Sequence, residues 1–262
     1  MNYHKSFINE KKFDLLNVSI YENRQIMGRA AATYVATKIQ AMLALQKKLR
    51  MIFAASVSQD DFLAAFAKNS DVDWSRITAF HMDEYIGLPE NHSETFGNYL
   101  RKHIFDRVPF KEIHYIDPLT SDPESECERY TDLLNAEPID IICLGIGENG
   151  HIAFNDPPVA DFIDEKSVKI VEMDQKCRQQ QVNDGCFADI SEVPEHAISI
   201  TIPVFMQARS LSIVVPGERK AQAAYDTLIG KIDTRCPATI LRNHPDAMLF
   251  LDQDSARKVI GL

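Results

Sequence analysis

Ile139-Asp140-Ile141-Ile142-Cys143-Leu144-Gly145-Ile146-Gly147-Glu148-Asn149-Gly150-His151-Ile152-Ala153-Phe154-Asn155-Asp156-Pro157-Pro158 is the stretch whose reading decides the fold. Ile139 to Leu144 is an apolar run, which suits a central parallel strand covered on both faces. The segment Gly145 to Gly150 matches Gly-x-Gly-x-x-Gly, and Glu172 lies about twenty residues on, where a dinucleotide fingerprint has its acid. That fingerprint needs a helix opening at the third glycine to meet a pyrophosphate. Pro157 and Pro158 arrive too soon for such a helix. Dinucleotide binding is therefore set aside. The alternative is a glycine-supported loop that presents His151 at a strand end. An imidazole titrates near neutral pH and can pass protons to and from a sugar oxygen. Asn149 and Asp156 flank it closely enough to orient the ring. The competing reading is a histidine that only satisfies backbone groups in a tight turn.

Outward from this strand the chain alternates short apolar runs with amphipathic stretches. Strands are expected at Leu15–Tyr21, Leu49–Ala55, Ile77–Met82, Ile113–Ile116, Val168–Met173, Ala197–Ile202, Leu211–Val215 and Ala247–Leu251. Helices are expected at Glu22–Lys47, Gln59–Lys68, Ser93–Ile104 with Ser93 as N-cap, Pro123–Asn135, Gly217–Leu228 and Ser255–Ile260. For about twenty residues after Gly150 the pattern loosens. Alternation of this kind predicts an α/β protein with a mostly parallel sheet and helices on both faces. Ligands of such folds sit at the carboxyl ends of the strands, near a switch point.

Three further strand ends carry chemistry. Asp83 and Glu84 meet the end of the Ile77–Met82 run. A half-desolvated carboxylate there can act as a base on a carbon-bound proton, and Asp83, directly after the run, is the better candidate. Loop acids that cap a turn are the alternative. Ser56-Val57-Ser58-Gln59 sits between a strand and a helix, where hydroxyls and free N–H groups suit a phosphate or, more plainly, a helix cap. Val215-Pro216-Gly217-Glu218-Arg219-Lys220 opens a helix with two cations. Cations oppose the dipole at a helix N-terminus, which argues for an anionic ligand at Lys220.

Length and composition bound the rest. The chain has 262 residues, 45% hydrophobic and 25% charged, which suits one α/β domain spanning residues 1–262. The formal net charge of −10 disfavours nucleic acid and anionic membranes as partners. It also means that a phosphate site must rely on local donors. The five cysteines form neither a CxxC pair nor a metal-ligand spacing, so reduced thiols and no bound metal are expected. No apolar run approaches a membrane span, and Met1–Phe13 lacks a signal-peptide character; a cytoplasmic protein is the expectation.

Two stretches, Met82-Asp83-Glu84-Tyr85-Ile86-Gly87-Leu88-Pro89 and Leu144 to Pro157, with their order and separation, resemble the glucosamine-6-phosphate deaminase/isomerase family. The resemblance runs from about Leu15 to the end. It implies a modified doubly wound, Rossmann-like α/β fold. It also implies conversion of glucosamine 6-phosphate and water to fructose 6-phosphate and ammonia, without metal or organic cofactor. On that resemblance His151 assists ring opening, Asp83 takes the C2 proton and returns it at C1, and Asp156 and Asn149 hold the imidazole. Lys220, Ser56, Val57 and Ser58 grip the phosphate, with Gly147, Ala153 and Arg178 also at the substrate. A homo-oligomer is compatible with it.

The chain also departs from the family pattern. Many members carry Thr-Gly-Gly-Thr-Pro where this chain has Ala55-Ser56-Val57-Ser58-Gln59, and Val57 cannot match glycine's close backbone approach. Many place an arginine on the phosphate a few residues after Asp174; here Asn183 takes the aligned position and Arg178 is the nearest cation. Asp156 stands where Glu is common. The alternatives are a galactosamine-6-phosphate deaminase, a 6-phosphogluconolactonase and a non-catalytic sugar-phosphate-binding regulator.

Overall fold

The computed structural model describes residues 7–89 and 91–261. In chain order the elements are β1 (Phe7–Phe13), β2 (Leu16–Tyr21), α1 (Arg24–Leu43), β3 (Leu49–Phe53), α2 (Asp60–Phe66), β4 (Ile77–His81), β5 (Asp83–Tyr85), α3 (Phe96–Leu100) and β6 (Glu112–His114). There follow α4 (Pro123–Asn135), β7 (Ile141–Leu144), β8 (Val168–Glu172), α5 (Gln175–Asn183), β9 (His196–Ile200), α6 (Ile202–Gln207), β10 (Ser210–Val215), α7 (Ala221–Ile229) and β11 (Ala247–Asp252).

Eight strands form one sheet in the order β1-β2-β11-β10-β7-β3-β4-β6. All its pairings are parallel except the β1–β2 hairpin. From β3 the chain steps outward to β4 and β6. It then returns to β7 on the other side of β3 and continues to β10 and β11. The reversal at β3/β7 opens a crevice at the carboxyl ends of these strands, as doubly wound sheets do.

Period-2 alternation in the central strands feeds two cores, one on each face. In β7, Ile142 and Leu144 join one cluster while Ile141 and Cys143 join the other. The first cluster takes Cys127, Tyr130 and Leu134 of α4 and Ala224 and Leu228 of α7. The second takes Met27, Ala31, Val35 and Ile39 of α1 and Phe62 and Phe66 of α2. The expected layering is thus present. No helix among the described residues is long and apolar enough to cross a membrane.

Three local expectations are corrected, and one strand, β1, is added. The strands expected at Val168–Met173 and Ala197–Ile202 do not join the main sheet. As β8 and β9 they pair antiparallel with β5 in a second sheet, β5-β9-β8. The third helix starts at Phe96 with Thr95 at its N-cap, not at Ser93, and runs on into a π turn at Arg101–Phe105. Ser255–Ile260 is a succession of turns rather than a helix. The polar start of the chain contains a strand, β1, which closes the sheet edge through a hairpin with Asp14 at φ 51°.

Candidate active site

Four strand ends converge on one pocket. It is lined by Ala54, Ala55, Ser56 and Ser58 after β3, Met82 and Asp83 after β4, Gly145, Ile146, Gly147, His151, Ala153 and Phe154 after β7, and Lys220 after β10. Phe96 and two glutamines of α5, Gln180 and Gln181, close it. A larger cleft of about 800 Å³ lies beyond Glu84, lined by Thr95, Arg101, Tyr115 and Asp117 among others. It brings no base and imidazole together, so the chemistry is assigned to the smaller pocket.

Asp83 opens β5, one residue after β4 ends. Its carboxyl is 5% exposed, and among the described residues it accepts no side-chain hydrogen bond. Burial, reinforced by the charge of Glu84, pushes its pKa well above the ordinary carboxylate range. Its backbone is fixed by His81. Ile116 N–H donates to His81 Nε2 at 2.9 Å, so Nδ1 carries the proton and donates to the Asp83 carbonyl at 2.8 Å. Burial pulls the His81 pKa down to about 4, which keeps this ring neutral.

Glu84 faces the other way, as the strand period requires. Its carboxylate accepts from the N–H groups of Tyr85 (3.0 Å), Phe96 (3.0 Å) and Gly97 (2.9 Å). It therefore caps α3. Burial raises its pKa to about 7 against those three donors. Of the two acids, one faces the pocket and one holds a helix start.

The loop after β7 is built to hold His151. Gly147 N–H donates to the His151 carbonyl at 2.9 Å, and His151 N–H donates to Asn149 Oδ1 at 3.0 Å. Gly150 sits at φ +85°, where an L side chain is strained, and Ala153 at φ 45°. His151 Nδ1 lies 2.9 Å from Asp156 Oδ1, which leaves Nε2 for a ligand. Asp156 is fully buried and accepts from Asn149 Nδ2 (2.9 Å) and Asp174 N–H (3.1 Å). Burial alone raises its pKa; the His151 charge and these donors outweigh that and hold it below the ordinary value. Asn149 and Asp156 thus stand behind the imidazole rather than in the pocket.

The Sγ of Cys177 lies within 4.8 Å of the His151 and Asp156 donor atoms, the one such grouping among the described residues. Burial, then the charge of Asp156, pushes its thiol pKa well up. A protonated thiol is a poor metal ligand.

Lys220 is buried, and its Nζ makes no hydrogen bond or ion pair with a described residue. Burial draws its pKa down to about 8, with Asp184 and Glu148 opposing the shift. An unpaired buried ammonium facing a pocket is the electrostatic signature of an anion subsite. Ser56 and Ser58 line the same pocket, their hydroxyls 2.9 Å apart.

Two candidates from the sequence lie elsewhere. Arg178 does not line the pocket: its guanidinium donates to the carbonyls of Ile190 (3.0 Å) and Val193 (2.8 Å). Val57 contributes a carbonyl to Arg24 at 2.9 Å rather than a surface to the pocket. Sequence reading missed Gln180 and Gln181. Three consecutive glutamines on a polar helix carry no periodicity that marks which face is buried.

The family model described as "Glucosamine-6-phosphate isomerases/6-phosphogluconolactonase" matches residues 22–250. A protein named glucosamine-6-phosphate deaminase from Listeria monocytogenes serotype 4a (strain HCC23) is 38% identical over 202 residues, 77% of this chain and 84% of that one. One of the same name from Bacillus cereus (strain B4264) is 36% identical over 188 residues, 72% of this chain and 70% of that one. Among solved structures, a monomeric glucosamine-6-phosphate deaminase superposes with a TM-score of 0.83 at 24% identity, covering 92% of this chain and 98% of that one. A 6-phosphogluconolactonase from Thermotoga maritima gives 0.74 at 17% identity, covering 90% and 99%. At those identities the two structures speak to the fold alone.

Proposed function

The chain belongs to the glucosamine-6-phosphate isomerase/6-phosphogluconolactonase family, and from that premise we propose that it is a glucosamine-6-phosphate deaminase whose base is Asp83 and whose ring-opening acid–base group is His151. The observation that carries this reading is what lines one pocket: a desolvated carboxyl and the cation of Lys220, neither hydrogen-bonded through its side chain to a described residue, and an imidazole backed by Asp156.

The proposed chemistry needs nothing beyond these groups. His151 Nε2 delivers a proton to the ring oxygen of the bound pyranose as the C1–O5 bond opens and the C1 hydroxyl gives up its proton to water, giving the aldehyde. Asp83 removes the C2 proton, made acidic by the adjacent C1 carbonyl, and O1 takes a proton from water to form an enol-amine. Asp83 then returns its proton to C1, which leaves an iminium at C2. Water adds there and ammonia departs, giving the C2 ketone of fructose 6-phosphate. Asp156 supports the imidazolium state of His151, and Asn149 fixes Asp156. Lys220, with Ser56 and Ser58, holds the phosphate, and Gly147 and Ala153 form the wall beside the sugar.

Ammonia release coupled to fructose 6-phosphate detection tests the reading, with glucosamine 6-phosphate and galactosamine 6-phosphate side by side. Turnover of the gluco sugar is expected. Silence with both sugars would sink the deaminase assignment, and a preference for the galacto sugar would move it to the C4 epimer.

Lys220 adds a second expectation. A charge-assisted hydrogen bond of about 1.5–3 kcal/mol implies that Lys220→Ala raises KM for the phosphorylated substrate roughly 10–150-fold. Because the free-enzyme pKa is about 8, wild-type KM should climb as pH rises through that value and the ammonium is lost. In Lys220→Ala that limb should vanish. A pH-independent KM in wild type would remove Lys220 from the phosphate site.

A further inference from the structure

Charge must balance where an oxyanion is buried. Among the described residues that line the pocket with Ser56, Ser58 and Gln181, Lys220 is the one lysine or arginine. Its chain neighbour Arg219 is half exposed, and its guanidinium is held by Glu148 at 3.5 Å and by Asp184. Arg178, on the same helix as the glutamines, is tied to carbonyls outside the pocket. Part of the backbone near the serines is committed: Ser58 N–H donates to Ser56 Oγ at 3.2 Å and Gln59 N–H to the Ser56 carbonyl at 2.8 Å. Gln180 accepts from Glu148 N–H at 2.8 Å and reaches Asp184.

Gln181 differs from these neighbours. It is 8% exposed and lines the pocket, and its side-chain amide makes no hydrogen bond with any described residue. An amide on the pocket wall with no protein partner is free to serve a ligand. We infer that Gln181 reads the 6-substituent of the substrate through this neutral amide, in a single-cation subsite that takes a singly charged oxyanion: a phosphate monoester as its monoanion, or a sulfate ester. The inference rests on the deaminase reading only in placing a 6-substituted hexose in this pocket.

The physical reason is the charge count. A phosphate monoester loses its second proton near pH 6 and carries about −1.5 to −2 at neutrality. Against one ammonium, a dianion leaves a net negative charge buried in the same pocket as Asp83, with Glu148 and Asp184 acting on Lys220. A monoanion leaves none. A sulfate ester offers the same three terminal oxygens with a fixed charge of −1, so an amide and one ammonium should serve it as well as phosphate.

Calorimetric binding of 1,5-anhydroglucitol 6-phosphate and its 6-sulfate, neither of which can react, tests this at pH 7.5. Wild-type Kd values are expected within about tenfold of each other. Gln181→Ala should weaken both by a similar factor of about 2–12, the worth of a typical hydrogen bond. Gln181→Arg should shift the ratio about tenfold or more toward phosphate, since a second cation favours the dianion. A wild-type preference for phosphate above a hundredfold, or both affinities unchanged in Gln181→Ala, would overturn the inference. Ammonia release is scored separately on the same preparations: its absence with this binding pattern intact would count against the deaminase reading and leave the single-cation subsite standing.

Discussion

Asp83→Asn is expected to lower kcat about 10²–10⁴-fold, the usual worth of a positioned general base, with substrate binding nearly unchanged. The amide keeps the shape of the carboxyl but cannot accept the C2 proton. The same substitution should raise the melting temperature near neutral pH. Burial lifts the Asp83 pKa well above its unfolded value, so between those two values the native state binds the proton more tightly and stability falls as pH rises. Asparagine cannot ionise and escapes that cost. Loss of turnover together with a gain in stability separates removal of a base from damage to the fold. Turnover within about threefold of wild type would take Asp83 out of the mechanism, because general-base losses run to 10² or more. A lower melting point would show instead that the carboxylate is structural.

Gly147→Ala is expected to come close to the effect of removing His151. A Cβ built on Gly147 would stand 2.2 Å from Cε1, 2.3 Å from Nε2 and 2.4 Å from Nδ1 of His151. Real contacts are never that short, so the imidazole must leave its place. It then loses Asp156 and its aim at the ring oxygen. We expect kcat on the pyranose substrate to fall about 10²-fold or more, in line with the loss of a general acid–base group. If the alanine acts only by displacing the ring, the pair Gly147→Ala/His151→Gln should be no worse than His151→Gln alone. Additive losses would mean that Gly147 contributes something of its own. Activity within about threefold of wild type would show that the ring position is irrelevant to a step that normally gains 10² or more from such a group.

Much of this site was legible in the sequence. Apolar runs located the strands, and the rule that ligands gather at the carboxyl ends of a doubly wound sheet selected Ser56, Ser58, Asp83, His151 and Lys220. All of these line one pocket. Other features resisted. Asp83 and Glu84 are neighbours at one strand end, and local sequence favours one only weakly. Strand alternation turns one toward the pocket and one toward the N–H groups of Phe96 and Gly97, 12 and 13 residues later. Arg178 attracted attention as the cation nearest the position where many family members place an arginine, yet α5 aims it at Ile190 and Val193. The same helix aims the uncharged Gln181 inward. Residues three apart on a helix lie only about 60° apart around its axis, so what separates the two is their partners: the carbonyls of Ile190 and Val193 hold Arg178, while Gln181 lines the pocket.

The sequence by itself determined the alternation of strands and helices, the order of the strand-end loops, and the residue types that make proton transfer available. Those depend on local periodicity and on short motifs. Only the tertiary structure decided that β5, β8 and β9 leave the main sheet to form their own, that Glu84 caps α3, and that Gly147 is small because an imidazole lies against it. Each depends on residues distant in sequence, or on the space between side chains, and neither periodicity nor motif encodes the partner that fills that space.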